Sequence, residues 1–220
     1  MSSAPSPASR GKAGSKPAEA SSRRAAPSVR TGRASDLPLL VALEERSVPA
    51  EDRFTTPTWR RLLGPGLASG SAQILVIEGA GLAAAIVGLI RKGGRTARIY
   101  SLAVDPACRG RGLAGILLNA LARGAERRGC HWLSLEVRET NEAALGLYGK
   151  LGFVVRSRLP AYYTPTEHGL RLRVAIPTFL ARSKQARTAA PPASVATPRS
   201  PTPRALPPRP LAAARSRRRS

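Results

Sequence analysis

Three glycines, Gly110, Gly112 and Gly115, lie between a strand-like run ending at Val104 and a helical run starting at Leu113, with Arg109 and Arg111 among them. Residues without a Cβ let main-chain N–H groups converge on an anion, and the start of a helix adds partial positive charge. The two arginines reinforce a place already suited to phosphate. A solvated basic run needs no glycines at a strand-to-helix junction, so charge alone does not explain the pattern. The spacing also satisfies G-x-G-x-x-G, with an acid, Glu136, 21 positions after Gly115. Against a dinucleotide fold, five residues separate Val104 from Gly110, and the strand closes an antiparallel meander. Too few strands follow Glu136 for a doubly wound sheet. No G-K-[ST] is present, so a P-loop is excluded. The stretch reads as a pyrophosphate cradle.

The elements that must hold the cradle follow from periodicity. AQILVIE (72–78), LAAAIVGLIRK (82–92) and RTARIYSLAV (95–104) are three strands joined by short glycine turns, which predicts antiparallel pairing. LAGILLNALARGAERRG (113–129) is an amphipathic helix with Leu113, Ile116, Leu117, Ala120 and Leu121 on one face and Gly129 beyond its end. CHWLSLEVR (130–138) is a strand, and NEAALGLYGKLG (141–152) is a helix capped by Asn141. FVVRSRL (153–159) and LRLRVAI (170–176) are further strands, with PAYYTPTEHG between them as a loop. Upstream, 28–34 is a short strand. Residues 36–47 form a helix capped by Asp36, and residues 55–63 form one stopped by Gly64-Pro65. The order is that of an α+β domain over 27–180.

Composition places most of the charge outside that domain. Of a formal +23, residues 1–26 carry +4 and residues 181–220 carry +10, leaving +9 for the middle. Both ends lack large apolar residues, and the second has eight prolines, so neither can offset the entropy of ordering its backbone. They are expected to be disordered basic tails, with weak, salt-sensitive and non-specific attraction to RNA or ribosomes. The two cysteines, Cys108 and Cys130, fit a reducing compartment and show no metal spacing; Cys130 is expected in the core. His131 and His168 suggest no ligand set, so no metal is expected. The longest apolar run, LAAAIVGLI, is too short to cross a membrane, and no apolar stretch follows the basic N-terminus as in a secretory leader. A cytoplasmic protein without membrane contact is expected.

R-G-R-G-L-A resembles the [QR]-x-x-G-x-[GA] loop of the GNAT superfamily of N-acetyltransferases. IYSLAVDP precedes it, LEVRETNEAALGLYGKLGF follows at family spacing, and a YY-T-P-T segment comes later, so the resemblance covers about residues 28–176. LEVR-x-x-N-x-x-A-x-x-L-Y-x-x-x-G-F is most similar to the ribosomal-protein-alanine N-acetyltransferase branch. The resemblance implies the acyl-CoA N-acyltransferase fold, a mixed and mostly antiparallel sheet with about four helices. It also implies direct acetyl transfer from acetyl-CoA, as co-substrate, to a primary amine.

By that resemblance Leu102, Ala103 and Val104 pair with the pantetheine arm. The pyrophosphate is held by the loop and helix start: Arg109, Gly110, Arg111, Gly112, Leu113, Ala114 and Gly115. Asn141 bonds the coenzyme, Glu136 is the general base and Tyr148 the general acid. Tyr148 lies seven residues after Asn141, about two turns, so the two share a face. An ammonium must lose a proton before it attacks, and the departing thiolate gains one, so two such groups are needed. The acceptor is expected to be a protein N-terminus or lysine. A small amine, or a non-enzymatic acyl-CoA-binding protein tethered to RNA, are the alternatives. The stretch LEERSVPAEDRFTTPTWRRLL lacks the Phe-Pro-Trp step associated with the ribosomal branch. Its Glu44, Glu45, Glu51 and Asp52 are read either as attracting a cationic acceptor or as a solvated acidic face.

Overall fold

The computed structural model describes residues 27–188, so the tail expectations for 1–26 and 189–220 lie outside the described residues. Seven strands form one sheet in the order β1-β2-β3-β4-β5-β7-β6. They are β1 (Val29–Thr31), β2 (Ala72–Gly79), β3 (Gly81–Ile90), β4 (Thr96–Val104), β5 (Trp132–Arg138), β6 (Val154–Thr164) and β7 (Glu167–Ala175). All neighbours pair antiparallel except β4 and β5, which run parallel. The predicted meander is β2–β3–β4.

Helices cover the sheet on both faces, which explains why β3 is apolar along nearly its whole length. On one face lie α1 (Leu37–Ser47) and α2 (Thr56–Arg61), packing Leu40, Leu43 and Trp59 against Ile74, Val76 and Val87. On the other lie α3 (Leu113–Glu126), α4 (Glu142–Lys150) and α5 (Ile176–Thr188). There Leu117, Leu118 and Leu121 are wholly buried with Ile86 and Leu133, each contributing about 1.5–3 kcal/mol by leaving water. A Cβ on Gly88 would stand 2.5 Å from Leu121 Cδ1, so the missing side chain is what lets α3 seat on β3.

Three local expectations are corrected. Asp36 makes no side-chain cap for α1; its carboxylate accepts from Arg30 and from the Arg33 N–H at 2.7 Å. Gly64-Pro65 does not stop the helix after α2, because the chain widens into a π turn over Leu62–Gly66 that contains Pro65. The segment PAYYTPTEHG is not a loop: β6 runs through Pro160 to Thr164 and β7 starts at Glu167. Edge strand β6 tolerates a proline, and its register slips between Leu159 and Thr164. The Ala161 backbone enters the left-handed region there (φ 49°), and its N–H donates to His168 Nδ1 at 3.0 Å.

A fifth helix, α5, joins the four read from the sequence, and its last residues run through 181–188. Ile176 and Phe179 are fully buried, and Ser183 Oγ hydrogen-bonds Asn119 Oδ1 at 2.9 Å, tying α5 to α3. Among the described residues no helix is long and apolar enough to cross a membrane.

Candidate active site

Strands β4 and β5 stay paired for only three rungs, Thr96↔Trp132, Ala97↔Leu133 and Arg98↔Ser134. Beyond them β4 continues to Val104 and β5 to Arg138 without meeting. A bulge on β4 separates the strands: Gly88 pairs with Ile99 and Val87 with Ser101, so Tyr100 is the extra residue that bends β4 away. Leu102, Ala103 and Val104 pair with β3 on one side and have no strand partner on the other among the described residues. Their free edge offers peptide groups to an extended amide-bearing arm.

The cradle lies at the end of that edge. Asp105 Oδ1 accepts from the Ala107 N–H at 2.9 Å and its Oδ2 from Arg46 Nε at 2.9 Å, which fixes the turn. Gly110 and Gly112 have φ of +74° and +73°, where a side chain costs about 1–2 kcal/mol. Gly112 caps α3 with no side-chain hydrogen bond, and the first helical bond runs from Ile116 N to Gly112 O. The amides of Leu113, Ala114 and Gly115 therefore have no intrahelical acceptor. A Cβ at Gly110, Gly112 or Gly115 would meet nothing within 4 Å. Arg109 and Arg111 are exposed beside this space, Leu113 turns into the core and Ala114 packs on its margin. These residues fit a diphosphate: open space, free main-chain donors and two exposed cations.

Glu136 is 3% exposed. Its Oε2 accepts from Arg98 Nε at 2.7 Å and its Oε1 from Arg171 Nε at 3.0 Å. A carboxylate has about four acceptor sites, so two remain. Arg98 also donates to the Tyr162 hydroxyl at 3.0 Å. Periodicity in the sequence did not single out Arg98, Tyr162 or Arg171. Both meet Glu136 only through the sheet: Arg98 precedes the β4 bulge and Arg171 pairs in register with Glu136.

Tyr148 lies in the apolar layer under α3 and α4, 5% exposed, its ring edge-on to Phe153 at 5.3 Å. Burial holds its hydroxyl well above the usual phenol range, so it stays protonated. Asn141 caps α4 as expected, its Oδ1 accepting from the Ala144 N–H at 3.0 Å; its amide NH₂ is the group left for a ligand.

Two of the acids expected either to attract a cation or to sit in solvent are buried. Glu44 accepts from the Phe54 N–H and Trp59 Nε1, both at 3.0 Å, and burial pushes its carboxyl up to about 7 against those donors. Asp52 bonds Arg138 Nη2 at 2.9 Å, while Arg138 Nη1 bonds Glu167 and its guanidinium lies 4.1 Å over the Tyr163 ring. Arg138 so joins the α1–α2 connection to the β6–β7 turn near the β5 side of the gap. A cleft of about 570 Å³ at the opposite end of α3, between Gly70, Arg95 and Arg128, contains none of these residues. Among the described residues no group of three or more His, Cys, Asp or Glu could hold a metal.

Residues 41–153 match the Acetyltransferase (GNAT) family. The chain is 37% identical over 79 residues to the N-alpha-acetyltransferase MAK3 of Arabidopsis thaliana, a match spanning 36% of this chain and 42% of that protein. Acetyltransferase YE1169 of Yersinia enterocolitica is 42% identical over 71 residues, 31% of this chain and 50% of the relative. The chain thus spans half or less of the curated relatives it matches. The ribosomal-protein-S18-alanine N-acetyltransferase of Escherichia coli superposes with a TM-score of 0.59 at 26% identity, covering 68% of this chain and 93% of that one. With the open β4 edge and the glycine cradle in place, the chain belongs to the GNAT acetyltransferase family.

Proposed function

We propose that this protein transfers the acetyl group of acetyl-CoA to a primary amine at a protein N-terminus, by direct attack. The observation that carries the reading is the uncapped, Cβ-free start of α3 at the end of the unpaired β4 edge. The diphosphate of the co-substrate is held by the amides of 110–115 with Arg109 and Arg111. Its pantetheine arm pairs along Leu102, Ala103 and Val104, with Asn141 donating from its free NH₂. The thioester is thereby carried into the gap between β4 and β5.

Glu136 takes a proton from the acceptor ammonium, directly or through one water, using acceptor capacity that Arg98 and Arg171 leave unused. The freed amine nitrogen bonds the thioester carbon, the C–S bond breaks, and Tyr148 gives its proton to the departing sulfur. The N-alpha-acetyltransferase of Arabidopsis and the S18-alanine enzyme of Escherichia coli support a protein N-terminus over a small amine. So does the charge of the site. A polyamine calls for unpaired carboxylates, whereas Glu136, Asp52 and Glu167 are each bonded to an arginine.

Calorimetry with CoA and mass spectrometry of peptides incubated with acetyl-CoA test this. Uptake of CoA with a 42 Da gain (about one acetyl group) at the peptide α-amine is expected. No uptake of CoA overturns the reading.

A further inference from the structure

From Arg138 toward Trp132 the α1–α2 face of the sheet passes from buried to partly exposed: Arg138 and Glu136 are buried, the latter beneath Arg98 and Arg171. Trp132 is 36% exposed and the Arg171 side chain 46% exposed. Alternation along the strands puts Trp132, Ser134, Glu136 and Arg138 on this face together with Arg171 and Arg173, their register partners on β7. The charge along it is polarised. Around Arg138 one guanidinium meets two carboxylates, Asp52 and Glu167. Around Glu136 and Trp132 three guanidiniums, Arg98, Arg171 and Arg173, meet one carboxylate. Arg173 has no carboxylate partner among the described residues; it lies 3.9 Å over the Trp132 ring, and its Nε is sealed without an acceptor.

Resting on the function proposed above, we infer that the acceptor is a polypeptide N-terminus whose first residues are acidic, laid along β5 from the gap toward Trp132. Its α-amine sits at the Glu136–Arg138 end, where carboxylates are concentrated and the thioester would lie. Its following side chains pass the surplus guanidiniums. Glu136 and Trp132 are four strand residues apart, about 13 Å, which is the reach of roughly four extended acceptor residues. Arg171 and Arg173 then read carboxylates at acceptor positions two to four. Trp132 holds the Arg173 guanidinium against its ring at 3.9 Å and so fixes where that charge is presented. Charges at a partly exposed surface select partners and steer them more than they add affinity, so each acidic residue is worth a modest factor.

The test uses the full chain with acetyl-CoA and three peptides alike except at positions two to four, which are all acidic, all glutamine or all lysine. The readout is kcat/KM from thiol release. The acidic peptide is expected to exceed the glutamine peptide about three- to tenfold and the lysine peptide by more, mainly through KM, and the gap is expected to shrink at high salt. Arg173→Glu is expected to reverse the order, and Arg173→Gln to flatten it. Arg91→Glu, in the distant cleft, is expected to leave the order unchanged. A wild-type protein that acetylates the lysine peptide as well as the acidic one overturns the inference while leaving the acetyltransferase reading intact. So does an acidic preference that survives in both Arg173 variants. CoA uptake without acetylation of any peptide removes the peptide acceptor and this inference together.

Discussion

Glu136 and Tyr148 stand on opposite faces of the sheet: Glu136 alternates along β5 with Leu135 and Val137, which belong to the apolar layer that contains Tyr148. The two groups sit in unlike surroundings. One is a carboxylate bonded to two guanidiniums, the other a phenol sealed among apolar side chains. In the reading proposed above, the carboxylate on one face takes a proton and the phenol on the other gives one.

Tyr148→Phe separates the two roles of that side chain. The ring that meets Phe153 at 5.3 Å is kept, so the melting temperature is expected to move little. Removal of the proton donor is expected to lower kcat by about 10²–10⁴-fold, the usual range for a positioned acid. Steady-state turnover with acetyl-CoA and a peptide measures it. Full turnover in the variant would remove Tyr148 from the chemistry.

Gly115→Leu distinguishes the cradle from the fold. Gly115 lies within α3, and no atom stands within 4 Å of where its Cβ would be. Leucine is better than glycine in a helix by somewhat less than the roughly 0.8–1.0 kcal/mol that separates alanine from glycine, so stability is expected to hold or rise. CoA uptake by calorimetry is expected to fall more than tenfold, because the side chain fills the space proposed for the diphosphate. Retained affinity would place the diphosphate elsewhere.

Local chemistry made part of this molecule legible in its sequence. Short apolar runs joined by glycine turns marked β2, β3 and β4, and the Leu113, Leu117, Leu121 stripe marked α3. The glycine turn at the start of α3 was legible because glycines at a strand-to-helix junction have a physical cause that charge does not supply. α5 was missed because its polar end, from Arg182 on, reads as the start of a basic tail. Ile176, Phe179, Leu180 and Ser183 nevertheless recur at helical spacing and face the core. The arginines around Glu136 were out of reach for another reason. Arg98 and Arg171 are 38 and 35 residues from Glu136 in the chain and meet it only through sheet register.

Stability should depend on pH through Glu44. Burial raises its carboxyl from 4.5 to about 7, outweighing the Phe54 and Trp59 donors. Between those values the unfolded chain has already released the proton that the fold retains, so stability falls as pH rises across the window and levels off above it. The shift corresponds to roughly 3 kcal/mol at 1.36 kcal/mol per unit, or several degrees in melting temperature. Glu44→Gln does not ionise, so its melting temperature is expected to fall less between pH 5 and pH 8. Parallel profiles for the two proteins would show that Glu44 ionises normally.

The Asp52–Arg138 pair should be costly to break and cheap to replace. Both side chains are buried, Asp52 at 0% and Arg138 at 4%. Arg138→Met removes the guanidinium that Asp52 Oδ1 bonds at 2.9 Å, and breaking a buried ion pair costs up to about 3–5 kcal/mol. Asp52→Asn in the same chain removes the charge as well. The double variant is then expected to recover about 1–3 kcal/mol of that loss in urea unfolding, since an apolar or neutral pair of similar volume is often as stable as the ions it replaces. The recovery should appear as a shift of the midpoint at constant slope, because the pair fixes no additional surface. Strictly additive losses in the two single variants would mean that the carboxylate and guanidinium do not stabilise each other. Arg138 would then be held by Glu167 and Tyr163 alone.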